Sequence, residues 1–300
     1  MRIKIVLQKT ITAIIILSFI THFLSCSNPT EDAADNFIKM RKLKPGVVII
    51  NMGYDAVTSI LTEKGIVVID AGISNSLTAK YRKIMENELG RDDFKYLINT
   101  HSHSDHTGGN QIFNDALIVG HENCVTEMKE AVKNIDNIKS RLRNIISEYE
   151  LQLKEQIEDS TEREEALCQK MRYQHTYNDW VNNRIVTYPE LTFRDTMNFN
   201  LENVNFNLIY FGKAHSGSDI LIYVPEVKIL FVGDLFSKYG RPSIGNIAKA
   251  DVERWQVVKE WVNKRSVGIE IVIGGHGQIM DKNDMEEFNK YIDEKWAEVN

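Results

Sequence analysis

The stretch Thr100-His101-Ser102-His103-Ser104-Asp105-His106-Thr107-Gly108-Gly109 decides how this chain is read. Three of its eight histidines fall here, directly after a short apolar run, Lys95 to Asn99, that suits a strand. Imidazole and carboxylate at these spacings suit a borderline divalent cation, because zinc accepts His nitrogen and Asp oxygen in a tetrahedral or slightly expanded shell. In an extended segment His101 and His103 project to one side, whereas Asp105 and His106, in the turn that follows, can point to a neighbouring position. One segment can thus seed two adjacent metal positions, with Gly108-Gly109 letting the backbone turn close to them. Taken alone, the segment also reads as a surface histidine cluster.

Three further residues stand at turns just after apolar strands, where scaffolds place functional side chains. His215 lies in Gly212-Lys213-Ala214-His215-Ser216-Gly217-Ser218-Asp219, Asp234 in Phe231-Val232-Gly233-Asp234-Leu235-Phe236, and His276 in Gly274-Gly275-His276-Gly277. Each by itself is an ordinary surface or core residue. Together with the first cluster they make seven candidate ligands.

Around these motifs the chain alternates strands and helices. Val47 to Asn51, Val57 to Leu61 and Gly65 to Asp70 are β-branched runs separated by Gly53 and Lys64-Gly65, an antiparallel start. Ser74 to Glu88 carries Leu77, Tyr81 and Ile84 at helical spacing, Leu89 continues it, and Gly90 marks its stop. From Glu122 to Tyr188 the pattern becomes that of a helical insertion. One amphipathic helix carries Ile135, Ile138, Leu142, Ile145 and Tyr149, and a second begins at Thr161, with Glu164 completing a capping box. Strands resume at Leu191 to Phe193, Asn205 to Tyr210, Ile220 to Val224, Lys228 to Val232 and Ile269 to Ile273, with helices near Val252 to Val262 and Asp281 to Val299. The α/β or α+β class follows.

A chain of 300 residues with 43% hydrophobic and 26% charged residues builds one large core or two small ones, which sets aside disorder and coiled coil. A net charge of -6 argues against a nucleic-acid partner, whose binding needs clustered Lys and Arg. The expected partner is a small-molecule substrate. Cysteines at Cys26, Cys124 and Cys168 are too few for a disulfide framework or a thiolate zinc site.

At the amino terminus, Arg2, Lys4 and Lys9 precede an apolar run from Ile11 to Leu24 that is short for a membrane span and suits an export signal. Phe23-Leu24-Ser25-Cys26 resembles the lipobox of bacterial lipoproteins. The expectation is a signal peptide over 1–25, lipidation at Cys26, a tether over 26–36 that anchors the protein to a membrane, and a domain over 37–300.

The order His-x-His-x-Asp-His, then His, Gly-Asp and Gly-His-Gly resembles the metallo-β-lactamase superfamily, over about Val47 to His276. That resemblance implies a four-layer αββα sandwich with its metals at one edge, and two zinc ions. It would place His101, His103 and His215 on the first, Asp105, His106 and His276 on the second, and Asp234 on both. Zinc lowers the pKa of its water from about 15.7 to about 7, and two metals about 3.5 to 4 Å apart can hold nucleophile and leaving atom. The implied activity is hydrolysis of a small ester, lactone, thioester or amide, with Asp105 as the catalytic residue that orients the nucleophile. Asp234 stands where several broad-spectrum β-lactamases carry a cysteine ligand, which tilts the resemblance toward thioesterase, lactonase and nuclease branches. A mononuclear iron enzyme of the persulfide-dioxygenase kind and a non-catalytic metal-binding surface lipoprotein are the alternatives.

Beyond the ligands, Lys238, Tyr239 and Arg241 are candidates for binding a substrate carboxylate, against a reading as a solvated loop. Tyr173, His175, Tyr177 and Trp180 read as packing the insertion onto the body in preference to lidding the metals. His121 and Cys124 read as structural.

Overall fold

The computed structural model describes residues 33–155, 159–182, 184–236 and 249–300, and the folded unit runs from Ala34 to Asn300. The expected signal segment, Cys26, and the substrate candidates Lys238, Tyr239 and Arg241 lie outside the described residues.

Four strands open the fold as an antiparallel meander: β1 (Lys39–Lys44), β2 (Val47–Met52), β3 (Asp55–Thr62) and β4 (Gly65–Ile69). Helix α1 (Asn75–Leu89) then crosses to β5 (Phe94–Ile98), the one-turn α2 (Ser104–Thr107) precedes β6 (Leu117–His121), and α3 (Glu122–Ala131), α4 (Ile135–Lys154) and α5 (Ser160–Val181) separate β6 from β7 (Leu191–Phe193). These crossovers are what parallel pairing requires, and β4 through β7 pair in parallel, completing a seven-stranded sheet in sequence order. The second sheet holds β8 (Thr196–Asn200), β9 (Asn205–Tyr210), β10 (Ile220–Val224), β11 (Ile229–Gly233), β12 (Ile271–Gly274) and β13 (Ile279–Met280), in order. Helix α6 (Lys249–Lys264) makes its one parallel crossover, from β11 to β12, and α7 (Lys282–Val299) follows β13.

Period-two alternation sends neighbouring residues of each strand to opposite faces, and here both faces are buried. Val47, Ile49, Val67 and Ile69 meet Leu208, Ile220, Ile222 and Phe231 between the sheets. Val48, Ile50, Ile66 and Val68 instead pack under α1, against Leu77, Tyr81 and Met85. Leu221, Leu230, Val232 and Val272 face Trp255 and Val258 of α6 and Phe288 and Ile292 of α7. Three apolar layers between four structural ones make the αββα sandwich expected from the resemblance. Each fully buried aliphatic or aromatic side chain contributes about 1.5–3 kcal/mol, so the double burial of every central strand fixes its register.

Local details differ from the sequence reading in instructive places. The cap of α5 is Asp159, which accepts from the amides of Thr161 (2.7 Å) and Glu162 (3.4 Å), so the helix starts at Ser160, ahead of the expected Thr161 box. A carboxylate is the stronger acceptor at a helix N-terminus, where the dipole favours negative charge. Strands β1 and β8 were not foreseen, because Lys39-Met40-Arg41-Lys42 and Thr196-Met197-Asn198 are polar edge segments with little apolar pattern. Trp180 is buried and His175 Nδ1 lies 3.0 Å from Ser76 Oγ, so the late part of α5 packs on the body as read. His121 accepts from the Asn123 amide at the start of α3, and Cys124 is buried below it.

Candidate metal centre

All seven candidate ligands converge at the edge of the sandwich where β5, β11 and β12 end. They form two groups, His101, His103, His215 and Asp234, and Asp105, His106 and His276, each with donor atoms within 4.8 Å of one another. The short spacing of the first motif works because the chain leaves β5, bends at His101 and Ser102, becomes extended at His103, and then closes one helical turn with His103 at its cap. The amides of His106 and Thr107 bond to the His103 carbonyl at 3.0 and 3.1 Å. Gly108 and Gly109 serve a spatial need: a Cβ there would stand 2.1 Å from the Ile73 carbonyl oxygen and 2.0 Å from Thr78 Oγ1. Gly275 does the same at the other end of the site, where a Cβ would come within 2.2 Å of Asp234 Oδ1 and 2.7 Å of His106 Cε1.

Hydrogen bonds behind the rings fix which nitrogen is free. Asp70, buried at φ 58°, accepts from the Thr100 amide (2.7 Å) and hydroxyl (2.8 Å) and from His106 Nδ1 (2.9 Å). His106 therefore carries its proton on Nδ1 and turns Nε2 inward. The Thr100 hydroxyl, spent as a donor on Asp70, accepts from His101 Nδ1 at 3.1 Å, which leaves His101 Nε2 free. His276 Nδ1 donates to the Tyr54 carbonyl at 2.7 Å, which leaves its Nε2 free as well. A carboxylate or carbonyl on the far nitrogen is the usual way a protein orients a metal-binding imidazole.

The inward atoms then crowd together. His215 Nε2 and His103 Nδ1 lie 3.1 Å apart, and Asp234 Oδ2 is 3.8 Å from His101 Nε2, 3.5 Å from His215 Nε2 and 3.2 Å from His276 Nε2. Asp234 Oδ1 is 3.5 Å from His106 Nε2, and Asp105 Oδ2 lies 3.9 and 4.0 Å from His106 and His276. Donors in a tetrahedral shell at about 2.0–2.1 Å from zinc stand about 3.3 Å apart, so these separations fit a cation at each group. Buried atoms without a hydrogen bond point the same way: His101 Nε2, His106 Nε2 and Asp234 Oδ1 are all orphaned. Such groups are costly to bury unless something occupies them.

The electrostatics divide along the same line. Burial and the neighbouring imidazoles of His106, His103 and His215 hold His101 well below the usual histidine value, and burial beside His215 lowers His103. Burial opposes charge on His106 too, but Asp234, Asp105 and Asp70 override it and raise its pKa well above the usual value; for His276 burial is likewise opposed by Asp234, and its value is raised. Asp234, despite its burial, is held far below the usual carboxylate range by His106, His276 and His101.

Comparison with known families matches residues 53–276 to the Metallo-beta-lactamase superfamily. The chain belongs to this superfamily. Among curated relatives it is 23% identical to "Metallo-beta-lactamase type 2" of Bacillus cereus over 221 residues, and 25% identical to that of Bacillus sp. (strain 170), in each case 74% of this chain and 66% of the relative. A protein of the same name from Bacteroides fragilis is 32% identical over 89 residues, 30% of this chain and 36% of the relative. The chain thus spans just under two thirds of the length of the first two. Among solved structures, the metallo-beta-lactamase from Pontibacter korlensis superposes with a TM-score of 0.60 at 18% identity, covering 85% of this chain and 99% of that one, which shows a shared fold.

Sequence reasoning missed the residues that hold the superfamily motif in place. Asp70 ends an apolar strand beside Ala71-Gly72, the same placement that drew attention to Asp234, so its signal was available. Glu127 of α3 had none: it accepts from Ser102 Oγ (2.7 Å), the Gly217 amide (2.7 Å) and Ser218 Oγ (2.6 Å), tying the loop of His101 and His103 to the loop of His215.

Proposed function

We propose that this chain is a dinuclear zinc hydrolase acting on a small ester, lactone, thioester or amide. The observation that carries it is the position of Asp234, whose Oδ2 lies within 3.8 Å of free nitrogens from both groups, as a carboxylate shared by two cations would. His101, His103 and His215 would hold one zinc, Asp105, His106 and His276 the other. Bound there, the pair would supply a hydroxide nucleophile near neutral pH and a Lewis acid for the oxygen that becomes anionic.

The chain's own residues do the rest. Asp105 is partly exposed at the mouth, and as an ionised carboxylate it accepts a hydrogen bond from the attacking nucleophile and orients it. Asp70 and the Tyr54 carbonyl keep His106 and His276 from rotating, and Glu127 keeps the His215 loop against the first motif. Lys238, Tyr239 and Arg241, following Asp234 in sequence, would meet a substrate carboxylate. We also propose export and a lipid anchor at Cys26; among the described residues no helix is long and apolar enough to cross a membrane.

The test is a panel of an ester, a lactone, a thioester and a β-lactam, assayed with the zinc-loaded protein and after chelation. Zinc-dependent turnover of at least one member is expected. Two bound zinc ions with no turnover on any would point to a metal-binding lipoprotein, and one bound iron to an oxygenase; either result overturns the proposal.

A further inference from the structure

Among the described residues, Arg172 is the one cation of the helical insertion that reaches the ligand shell. It stands on α5, its side chain 1% exposed, with Nε donating to Asp55 Oδ1 at 2.6 Å; Asp55, fully buried at the start of β3, also accepts from Tyr81 Oη at 3.1 Å. One end of the guanidinium is therefore fixed by a buried ion pair. The other end is not used up: Nη2 is buried without a hydrogen bond and lies 3.8 Å from Asp105 Oδ2. A guanidinium is a rigid planar fork, so holding Nε on Asp55 dictates where Nη2 points. A pair serving stability alone would leave no orphaned nitrogen facing a candidate ligand.

We propose that Arg172 is a positioning residue for Asp105: anchored on Asp55, it presents Nη2 to the carboxylate and so sets the affinity of the second cation. Asp105 stands on a single helical turn, and the imidazoles that face its Oδ2, His106 at 3.9 Å and His276 at 4.0 Å, are themselves candidate ligands aimed at the same cation. His106 and His276, by contrast, are each braced by a hydrogen bond to the ring nitrogen facing away from the centre. Arg172 supplies to Asp105 what Asp70 supplies to His106. Helix α5 then belongs to the metal centre as much as the motif loops do. This rests on the two-cation reading above.

The experiment is a zinc titration of the full chain against a chromophoric chelator, with the absorption spectrum of the cobalt-substituted protein as a second readout. R172M alone would strand Asp55 as a lone buried carboxylate, so the pair is removed together in D55N/R172M, and R172K keeps the charge on Asp55 while losing the fork. In D55N/R172M the second dissociation constant should rise about ten- to a hundredfold with the first changed by less than about twofold, the range expected for a lost partner behind a ligand. R172K should show the same ordering at smaller size, with a shifted cobalt band for the second equivalent only. If D55N/R172M does not fold, R172K decides on the same criteria. Unchanged second constants and cobalt spectra in protein that binds two cations overturn the role of Arg172, whereas a wild-type protein that binds only one overturns the two-cation reading itself.

Discussion

His101 and His103 sit chiefly among other imidazoles, His106 and His276 among carboxylates, and the two pairs titrate in opposite directions. Burial and neighbouring imidazoles push His101 and His103 toward the neutral form, in which a ring nitrogen keeps a free lone pair. The second pair is pushed toward its protonated form, His106 by Asp234, Asp105 and Asp70 and His276 chiefly by Asp234, so protons compete with a cation there. They also differ in what braces them. Glu127 of α3 joins the loops of the first group, while Asp70, the Tyr54 carbonyl and Arg172 of α5 stand behind the second. The lesson is that one short motif can set candidate ligands in two different electrostatic surroundings, because the scaffold places different charges behind neighbouring residues.

The largest effect that would sharpen this contrast comes from Glu127→Ala. Losing the common acceptor of Ser102, Gly217 and Ser218 frees the His215 loop, and the first zinc should bind about ten- to a hundredfold more weakly with the second less affected. Isothermal titration would read both constants; equal losses at the two positions would break the division.

A smaller effect lies in the protons. His106 and His276, with raised values in the fold, stabilise the metal-free protein fully below about pH 6.5, and that contribution is lost as pH rises through their raised values. His101 and His103, with depressed values, run the other way and destabilise the fold only as pH falls below about 6.5. A cation binding at the second group would have to displace protons from His106 and His276 more than one at the first group would from His101 and His103. Calorimetry at pH 7 in buffers of different ionisation enthalpy should find more protons released with the second equivalent than with the first. Equal release at both steps would contradict the contrast.

The candidate ligands were legible because each stands at the end of an apolar strand with glycine close by, and a strand end beside glycine is a local signal. The four layers came from the resemblance those motifs carry, whereas the strand and helix pattern by itself reached only the α/β or α+β class. Glu127 and Arg172 were not legible, since each is one charge among many on a helix of the insertion and gains its role only when the fold brings it to a loop distant in sequence. The polar edge strands β1 and β8 escaped for a related reason: their pairing is dictated by the neighbouring strand and not by their own side chains.

The central claim is that Asp234 joins two cation positions, and diffraction from zinc-loaded crystals at the zinc absorption edge tests it most directly. Two anomalous peaks about 3.5 to 4 Å apart are expected, one among His101, His103 and His215 and one among Asp105, His106 and His276, both touching Asp234. A single peak, or zinc bound away from Asp234, would contradict the account.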